Sequence, residues 1–291
     1  MKRLLFGGMI VAAFGMMQAI AADGHASPKD PLADFPYVPQ PDPPLPPPPP
    51  PRVFSWTGCY LGAQFGGGVA DTLFTGAWLD PVVPTRLGVP VQVALTPGSD
   101  NHVYSDGVLA GGQGGCDVQV APHWVIGGAA DGSWTNISGN LGTEKASGTL
   151  PGPTPFSAAG VQNVKIDTLA TATARIGYAF YGSGLFYVKG GAAWEQSKYG
   201  FTGVATSTVS MPFNFTADDS RVGWTVGAGT EWKLIGNWSF FGEYDYLDFG
   251  TRNVNFTDAV MGTSVFSVRH DVNEMKLGIN YRLGAVAPSK F

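Results

Sequence analysis

Cys59 and Cys116 are the only two cysteines in the chain and its clearest candidates for covalent chemistry. Cys59 is the fourth residue of the first predicted strand, and Cys116 is the fifth from the end of the second. If these strands pair antiparallel, both residues lie at about the same height and on the outward face, where opposed Cα atoms are roughly 4.5 Å apart. This spacing predicts a Cys59–Cys116 disulfide; two buried free thiols are the alternative.

The histidines and glycines offer little catalytic chemistry. None of His25, His102, His123 and His270 has a serine and an acid at a recognisable spacing, so each is interpreted as a surface histidine. No paired Cys and His spacing indicates a metal, and the glycines 66–68 lie within a predicted strand, not before a helix as a phosphate loop requires. We therefore expect no catalytic residues, no metal and no cofactor.

Segments with a period of two must position the remaining charged residues. In the last one, Met275, Leu277, Ile279, Tyr281 and Leu283 share one face, while the residues between them form a polar one. Eight such segments occur, at about 56–69, 107–120, 124–134, 165–180, 185–195, 221–233, 238–249 and 275–283. In the fourth, the alternation places Ile166 outward and Asp167 inward.

The connections between these segments alternate regularly between long and short. Residues 121–123, 181–184 and 235–237 form short turns, whereas 70–102, 135–162, 196–220 and 250–267 form long connections. Short periplasmic turns, long extracellular loops and an even strand count are typical of outer-membrane barrels. The charged share of only 13% also favours a lipid-facing surface. We therefore predict an all-β protein, an eight-stranded antiparallel up-and-down transmembrane β-barrel, whose lipid face contacts outer-membrane lipid.

In such a barrel the polar face points into the lumen. The alternation assigns eight charged residues to it: Arg175, Lys189, Glu195, Glu231, Glu243, Asp245, Lys276 and Arg282. Eight strands leave a bore that side chains fill, so these charges are expected to pair with one another. A gated, low-conductance path for ions or small solutes is the alternative.

Aromatic residues lie at the strand ends beside the short turns or the termini. These residues are Trp56, Trp124, Trp232, Trp238 and Tyr281. Tryptophan and tyrosine are enriched at membrane–water interfaces, so this set predicts a girdle at the periplasmic side.

The N-terminal region is expected to direct the chain to the outer membrane of a Gram-negative bacterium. Lys2 and Arg3 precede an apolar run that ends in Ala19-Ile20-Ala21, so residues 1–21 are predicted to be a signal peptide. Residues 22–53 are proline-rich and predict an extended periplasmic spacer. Its composition favours a disordered tail with no specific ligand, and a segment that reaches the cell wall or a periplasmic partner is the alternative. The barrel is assigned to 54–284 and a short tail to 285–291. The net charge of −5 argues against nucleic acid as a partner.

Several motifs carry a family resemblance that covers most of residues 54–284. They are FSWTGCYLG at 54–62, ARIGYA at 174–179, YVKGG at 187–191, GWTVGAGTE at 223–231, EYDY at 243–246 and GINYR at 278–282. Together they resemble the outer-membrane immunogenic proteins of alphaproteobacteria, porin-like relatives of the OmpA-type barrel. The resemblance implies a surface antigen with a non-enzymatic role in envelope integrity and in host or environment contact.

The resemblance also bears on assembly and on haem. Lys276, Gly278, Tyr281 and Leu283 are similar to the insertion signal that the barrel-assembly machinery reads in such proteins. Some relatives have been suggested to bind haem, for which His102, Tyr104 and His270 would be the candidates here. A haem-binding surface protein and an outer-membrane enzyme are the less favoured readings.

Overall fold

The structure is a computed structural model that describes residues 54–79, 93–94, 101–150, 154–180, 183–206, 208–259 and 262–283. The predicted signal peptide, the proline-rich spacer and the C-terminal tail lie outside the described residues. No helix in the described part of the chain is long and apolar enough to cross a bilayer.

The described residues form ten strands. These are β1 (Gly58–Leu79), β2 (Val93–Ala94), β3 (Asn101–Gln119), β4 (Trp124–Thr135), β5 (Ser138–Leu150), β6 (Thr154–Phe180), β7 (Gly184–Thr206), β8 (Ser210–Lys233), β9 (Trp238–Asp258) and β10 (Gly262–Leu283).

The strands close into a ring with eight antiparallel strand positions. Strand β1 pairs with β3 on one side and with β10 on the other, while β6 to β10 pair in sequence. Strands β4 and β5 together occupy one position in the ring, because both pair with β3 and with β6. Strand β2 pairs with the far end of β1. The prediction of an eight-stranded up-and-down barrel is confirmed.

The strands are much longer than the sequence analysis predicted. Seven of them have 19 to 27 residues, whereas about 9–11 residues are enough to cross a bilayer. The predicted boundaries hold at the short-turn end. At the opposite end, most of the predicted loops 135–162, 196–220 and 250–267 are strand instead. We call the half of the barrel near the short turns the lower half, and the rest the upper half.

The two halves present opposite faces to the outside. In the lower half of β8, Trp224 and Trp232 point outward, while Glu231 is buried. In its upper half, Phe213 and Phe215 are buried. The outward face there includes four exposed polar residues: Asn214, Thr216, Asp218 and Ser220. The lower half therefore has the predicted lipid-facing arrangement, whereas the upper half resembles a water-soluble barrel.

A β-bulge corrects the predicted faces of the fourth segment. The pairing of β6 with β7 shifts register between Ile166 and Thr168. Because one extra residue reverses the alternation beyond it, Ile166 is buried and Asp167 lies on the outer surface. The strict period of two predicted the reverse and was wrong here.

A disulfide joins β1 to its neighbour in the ring, β3. Cys59 and Cys116 are direct partners in the β1–β3 pairing, and their sulfur atoms are bonded. Both residues lie on the exposed outward face, beside Leu61 and Val118. The predicted disulfide is confirmed.

An apolar cluster fills the upper half. We call it the apolar cap: Phe74, Val103, Ala158, Val164, Tyr199, Ala205, Phe213, Phe215, Ala217, Val254, Phe256, Phe266 and Val268. The Phe256 ring lies 4.8 Å from that of Phe266 and 6.0 Å from that of Tyr199 between centroids. The upper half thus has a hydrophobic core of its own.

Replacing Phe256 by alanine is expected to destabilise the barrel. The side chain is 2% exposed, and removing a buried phenylalanine typically costs about 3–5 kcal/mol. Denaturant unfolding of the refolded barrel in detergent would measure the loss. Asn255→Ala, an exposed neighbour, is the control; equal effects from the two variants would contradict a packed cap.

Removing the disulfide is expected to lower the free energy of unfolding by about 2–4 kcal/mol, since the bond restricts the unfolded chain. The double variant Cys59→Ser, Cys116→Ser should unfold at lower denaturant concentration than the oxidised protein and match the reduced one. Mass spectrometry of unreduced peptides should find Cys59 linked to Cys116. Recovery of free thiols alone would refute the bond.

Candidate functional site

At the short-turn end, the interior of the lower half contains two arginines that are each paired with carboxylates. Arg175 donates to Asp117 through Nε at 2.8 Å and through Nη2 at 2.5 Å. Arg282 Nη2 lies 3.2 Å from an oxygen of Asp117 and 3.2 Å from one of Glu231. Two arginines and two carboxylates thus form a buried, charge-balanced group. Asp117 was not among the predicted lumen charges, although it occupies the inward position next to the outward Cys116.

A lysine-centred group follows. Lys189 Nζ lies 2.5 Å from Glu243 and 3.0 Å from Asp245. Lys276 Nζ lies 2.8 Å from Asp245 and 2.8 Å from Glu274. Asp131 also contacts both lysines, at 3.8 and 3.3 Å. We call these two groups together the ionic lattice; Asp131 and Glu274 were not among the predicted lumen charges.

Aromatic rings pack against the arginines from the short-turn side. The Arg175 guanidinium lies 4.8 Å from the Tyr60 ring and 4.9 Å from the Tyr187 ring. Arg282 lies 4.6 Å from the ring of Trp56 and donates to its carbonyl oxygen at 2.8 Å. These cation–π contacts fix the planes of the guanidinium groups.

Trp56 therefore does not belong to the predicted girdle. It is 1% exposed and points inward, because it shares the parity of the inward Tyr60 and Gln64 on the same extended segment. The other four predicted girdle residues do point outward at the short-turn end: Trp124, Trp232, Trp238 and Tyr281. Trp238 and Tyr281 are in edge-to-face contact at 5.0 Å.

Glu195 belongs to a separate polar cluster. An apolar layer lies above the ionic lattice: Ala70, Ile137, Ile166, Leu169, Ala193, Leu247, Phe249 and Val272. Beyond it along the strands, Glu195 Oε1 lies 3.9 Å from Arg221, and Arg221 is also paired with Asp219. We call this group, which includes His270 and Thr72, the upper polar cluster. The predicted lumen charges are thus buried in two separate places.

The upper polar cluster contains a hydroxyl–imidazole–carboxylate chain. Thr72 Oγ1 lies 2.7 Å from His270 Nδ1, and His270 Nε2 lies 3.2 Å from Glu195 Oε2. The side chains of His270 and Glu195 are fully buried. Thr72 and His270 are hydrogen-bonded, whereas His270 Nε2 and Glu195 Oε2 lie close together without forming a hydrogen bond. His270 was predicted to be a surface histidine, and that was wrong: it occupies an inward position of β10.

The three haem candidates do not form one site. His102 lies on the outer side, where its ring is stacked at 5.9 Å on that of the exposed Tyr104 and its Nδ1 is 2.8 Å from Asp71. His270 is on the inner side of the wall. Within the described residues, no group of three or more His, Cys, Asp or Glu side chains could hold a metal ion.

The predicted insertion signal lies in the strand that closes the ring. Lys276 points inward, while Tyr281 and Leu283 point outward near the short-turn end. Gly278 lies opposite Gln64 of β1, in a place where a side chain would collide with the Phe241 ring. The role of these residues in assembly stays a prediction.

Comparisons with known proteins agree with this architecture. The family model of the outer membrane protein beta-barrel domain matches residues 55–282. The 31 kDa outer-membrane immunogenic protein of Brucella melitensis biotype 1 is 26% identical over 229 residues, which cover 79% of this chain and 84% of that protein.

Similar solved structures include the attachment invasion locus protein Ail and the outer membrane protein OprG. Ail of Yersinia pestis is 12% identical, with a TM-score of 0.31 and coverage of 78% of this chain and 99% of that one. OprG of Pseudomonas aeruginosa is 10% identical, with a TM-score of 0.35 and coverage of 79% and 97%. On the strength of the family match, the chain belongs to the outer-membrane β-barrel proteins of Gram-negative bacteria.

Proposed function

We propose that the protein is a closed, non-enzymatic barrel that strengthens the outer membrane and presents a rigid β-structured extension at the cell surface. The observation that carries this proposal is the filled interior. The inward residues of β10 belong in turn to the ionic lattice, the apolar layer above it, the upper polar cluster and the apolar cap. All of the following are buried: Arg282, Asn280, Lys276, Glu274, Val272, His270, Val268 and Phe266.

The ionic lattice supports a closed lower half. Its lysine and carboxylate atoms lie within 2.5–3.8 Å of one another. A solute that passed would have to separate these pairs, and breaking a buried pair typically costs about 3–5 kcal/mol. Eight strands leave no further width for a passage around them.

The apolar cap supports a closed upper half. Its phenylalanine, valine and tyrosine side chains contact one another across the bore, so an ion would have to enter a region with few polar partners. The two barriers lie in series along the barrel. A path through the molecule would require both to open.

A surface role is supported by the polar outer face of the upper half and by the relatives. The Brucella protein is named an immunogenic protein, and an antibody response requires accessible parts. A strand extension of this kind would hold such parts away from the lipid. The lack of access to the Thr72–His270–Glu195 chain favours a non-enzymatic role.

Outer-membrane lipid and the assembly machinery are the partners we propose for the barrel. Attachment to the cell wall through residues 22–53 is a further part of the proposal. Co-sedimentation of the full exported chain, and of a variant lacking 22–53, with purified cell wall would test the attachment.

The protein is expected to produce no channel steps in planar bilayers. The alternative, a low-conductance channel, predicts steps in the wild type that change in Glu243→Ala, because Glu243 contacts Lys189 and accepts a hydrogen bond from Tyr187 at 2.8 Å. The control is Tyr244→Ala, which removes an outward side chain next to Glu243. Wild-type conductance that responds to Glu243→Ala alone would overturn the closed barrel.

Glu243→Ala is also expected to lower the free energy of unfolding by about 1–3 kcal/mol, because it removes the nearest carboxylate of the buried Lys189 and leaves the buried Tyr187 hydroxyl without its acceptor. Denaturant unfolding in detergent, followed by heat-modifiable migration on gels, would measure this. Asp218→Ala, which removes an exposed carboxylate, should change stability by less than about 1 kcal/mol. Equal effects would show that the lattice does not hold the barrel together.

A further inference from the structure

The disulfide lies on the lipid-facing side of the barrel wall. Cys59 and Cys116 are both exposed on the outward face. On β3 the next two outward residues toward the short turn are Val118 and Val120, which are also exposed, and on β1 the outward residue above the disulfide is the exposed Leu61. In the membrane these apolar side chains contact hydrocarbon, so lipid covers the sulfur atoms as well.

The bore side of the wall is filled with side chains at this level. The inward neighbours of the two cysteines are Tyr60 and Asp117, which are buried and contact Arg175 of the ionic lattice. Thiol–disulfide exchange requires a thiolate and direct contact between the reacting sulfur atoms, and a charged thiolate is unfavourable in hydrocarbon. A pair of free thiols at this place in an inserted barrel would therefore stay reduced.

The two strands that the bond joins lack a short connection. At the upper end, β5 and β6, β7 and β8, and β9 and β10 are each separated by three residues, whereas 21 residues separate the end of β1 from the start of β3. A tight turn fixes the register of a hairpin. A connection of 21 residues does not, so the register of β1 on β3 needs another determinant.

Side-chain packing between β1 and β3 is a weak determinant of this register. Eight of the nine consecutive pairs from Tyr60–Gly115 to Gly68–Gly107 include a glycine, which offers no side chain to its cross-strand partner. A slip of one residue would reverse the inward and outward faces, but a slip of two residues would preserve them. The Cys59–Cys116 bond excludes both slips.

We propose that a periplasmic thiol–disulfide oxidase joins Cys59 to Cys116 before the chain enters the membrane, and that the bond sets the register of β1 on β3 as a turn does in a hairpin. One cysteine thiolate attacks the disulfide of the oxidase and forms a mixed disulfide, which releases one oxidase sulfur. The second thiolate attacks the chain's sulfur in the mixed disulfide and releases the other oxidase sulfur. The chain loses two electrons, the oxidase is reduced to its dithiol, and the two thiol protons of the chain pass through water to the oxidase sulfurs.

The order of oxidation and folding is tested with the full chain expressed in a Gram-negative host. Pulse-labelled cells are quenched with acid, free thiols are alkylated with a mass tag, and folded molecules are separated by heat-modifiable migration on gels. Every folded molecule should already contain the bond, and free thiols should occur in the unfolded band alone. A folded band with free thiols that is oxidised later in the chase would overturn the proposal.

Access to the thiols is tested by refolding the reduced chain into phosphatidylcholine vesicles and adding the purified oxidase. The unfolded reduced chain should be oxidised at least about tenfold faster than the inserted one, because exchange depends on access to the sulfur atoms. The matched control carries Leu73→Cys and His102→Cys in the Cys59→Ser, Cys116→Ser background; these positions are also direct partners in the β1–β3 pairing, but they lie in the upper half. The control pair should be oxidised in both states. Equal oxidation rates for the two inserted pairs would refute the lipid cover, whereas failure of the reduced chain to insert would support the same order of events.

The role in register is tested by moving one cysteine or both. In the slipped pair, Cys116→Ser with Gly114→Cys, the new cysteine can bond to Cys59 only if β1 slips by two residues on β3. In the in-register pair, Leu61→Cys with Gly114→Cys in the double serine background, the cysteines are direct partners. A side chain at Gly114 would lie 3.0 Å from Leu61 Cδ2, and Leu61→Cys removes that contact.

Folding rates into vesicles, followed by heat-modifiable migration, provide the readout. The oxidised in-register pair should fold at the wild-type rate, and the double serine variant several-fold more slowly, since its long loop must close without the bond. The oxidised slipped pair should fold more slowly than its own reduced form. Equal folding rates for the in-register and slipped pairs would overturn the role in register. Bilayer conductance plays no part in these experiments, so their outcome is separate from that of the closed-barrel proposal.

Discussion

The structure depends on one constraint: a polypeptide in hydrocarbon must satisfy every backbone N–H and C=O group within itself. The pairing of β1 with both β3 and β10 meets it, because no strand edge faces lipid in the lower half. Closure then fixes the faces of every strand, since alternate side chains must point into the bore or away from it. The buried charges and the outward tryptophans follow from that division.

Side chains alternate between the inward and outward faces in both halves of the barrel, but the face that is apolar differs between the halves. In the lower half the outward face is apolar, as contact with lipid requires, and the inward face contains the ionic lattice. In the upper half the outward face is mostly polar, as contact with water requires, and the inward face contains the apolar cap. Along β8 the exchange occurs between Ser220 and Val222 on the outward face. A single hydropathy rule cannot describe both halves.

This exchange explains which predictions from sequence succeeded. Three features follow from the alternation of side chains alone. They are the positions where the strands start at the short turns, the faces of the lower half, and the Cys59–Cys116 pair. The upper halves were assigned to loops because their glycine, serine and threonine content is typical of turns, although Phe213 and Phe215 keep the period of two. The bulge at Ile166 adds one residue with no sequence signal as strong as a glycine or proline. His270 lies six residues before Lys276 and shares its inward parity, but the predicted strand began only at Met275, so the alternation was not extended to it.

The interior of the lower half need not be ionic for stability, since buried ion pairs are often no better than apolar packing of the same volume. An apolar interior would, however, give β10 an apolar residue at nearly every position from Met275 to Leu283. Such a strand would be apolar on both faces, which favours pairing with other chains before the barrel closes. With Lys276, Asn280 and Arg282 inside, this part of β10 has one polar face. The inward charges thus keep one face of β10 polar before the ring closes, and their pairing in the closed barrel offsets part of the cost of burying them.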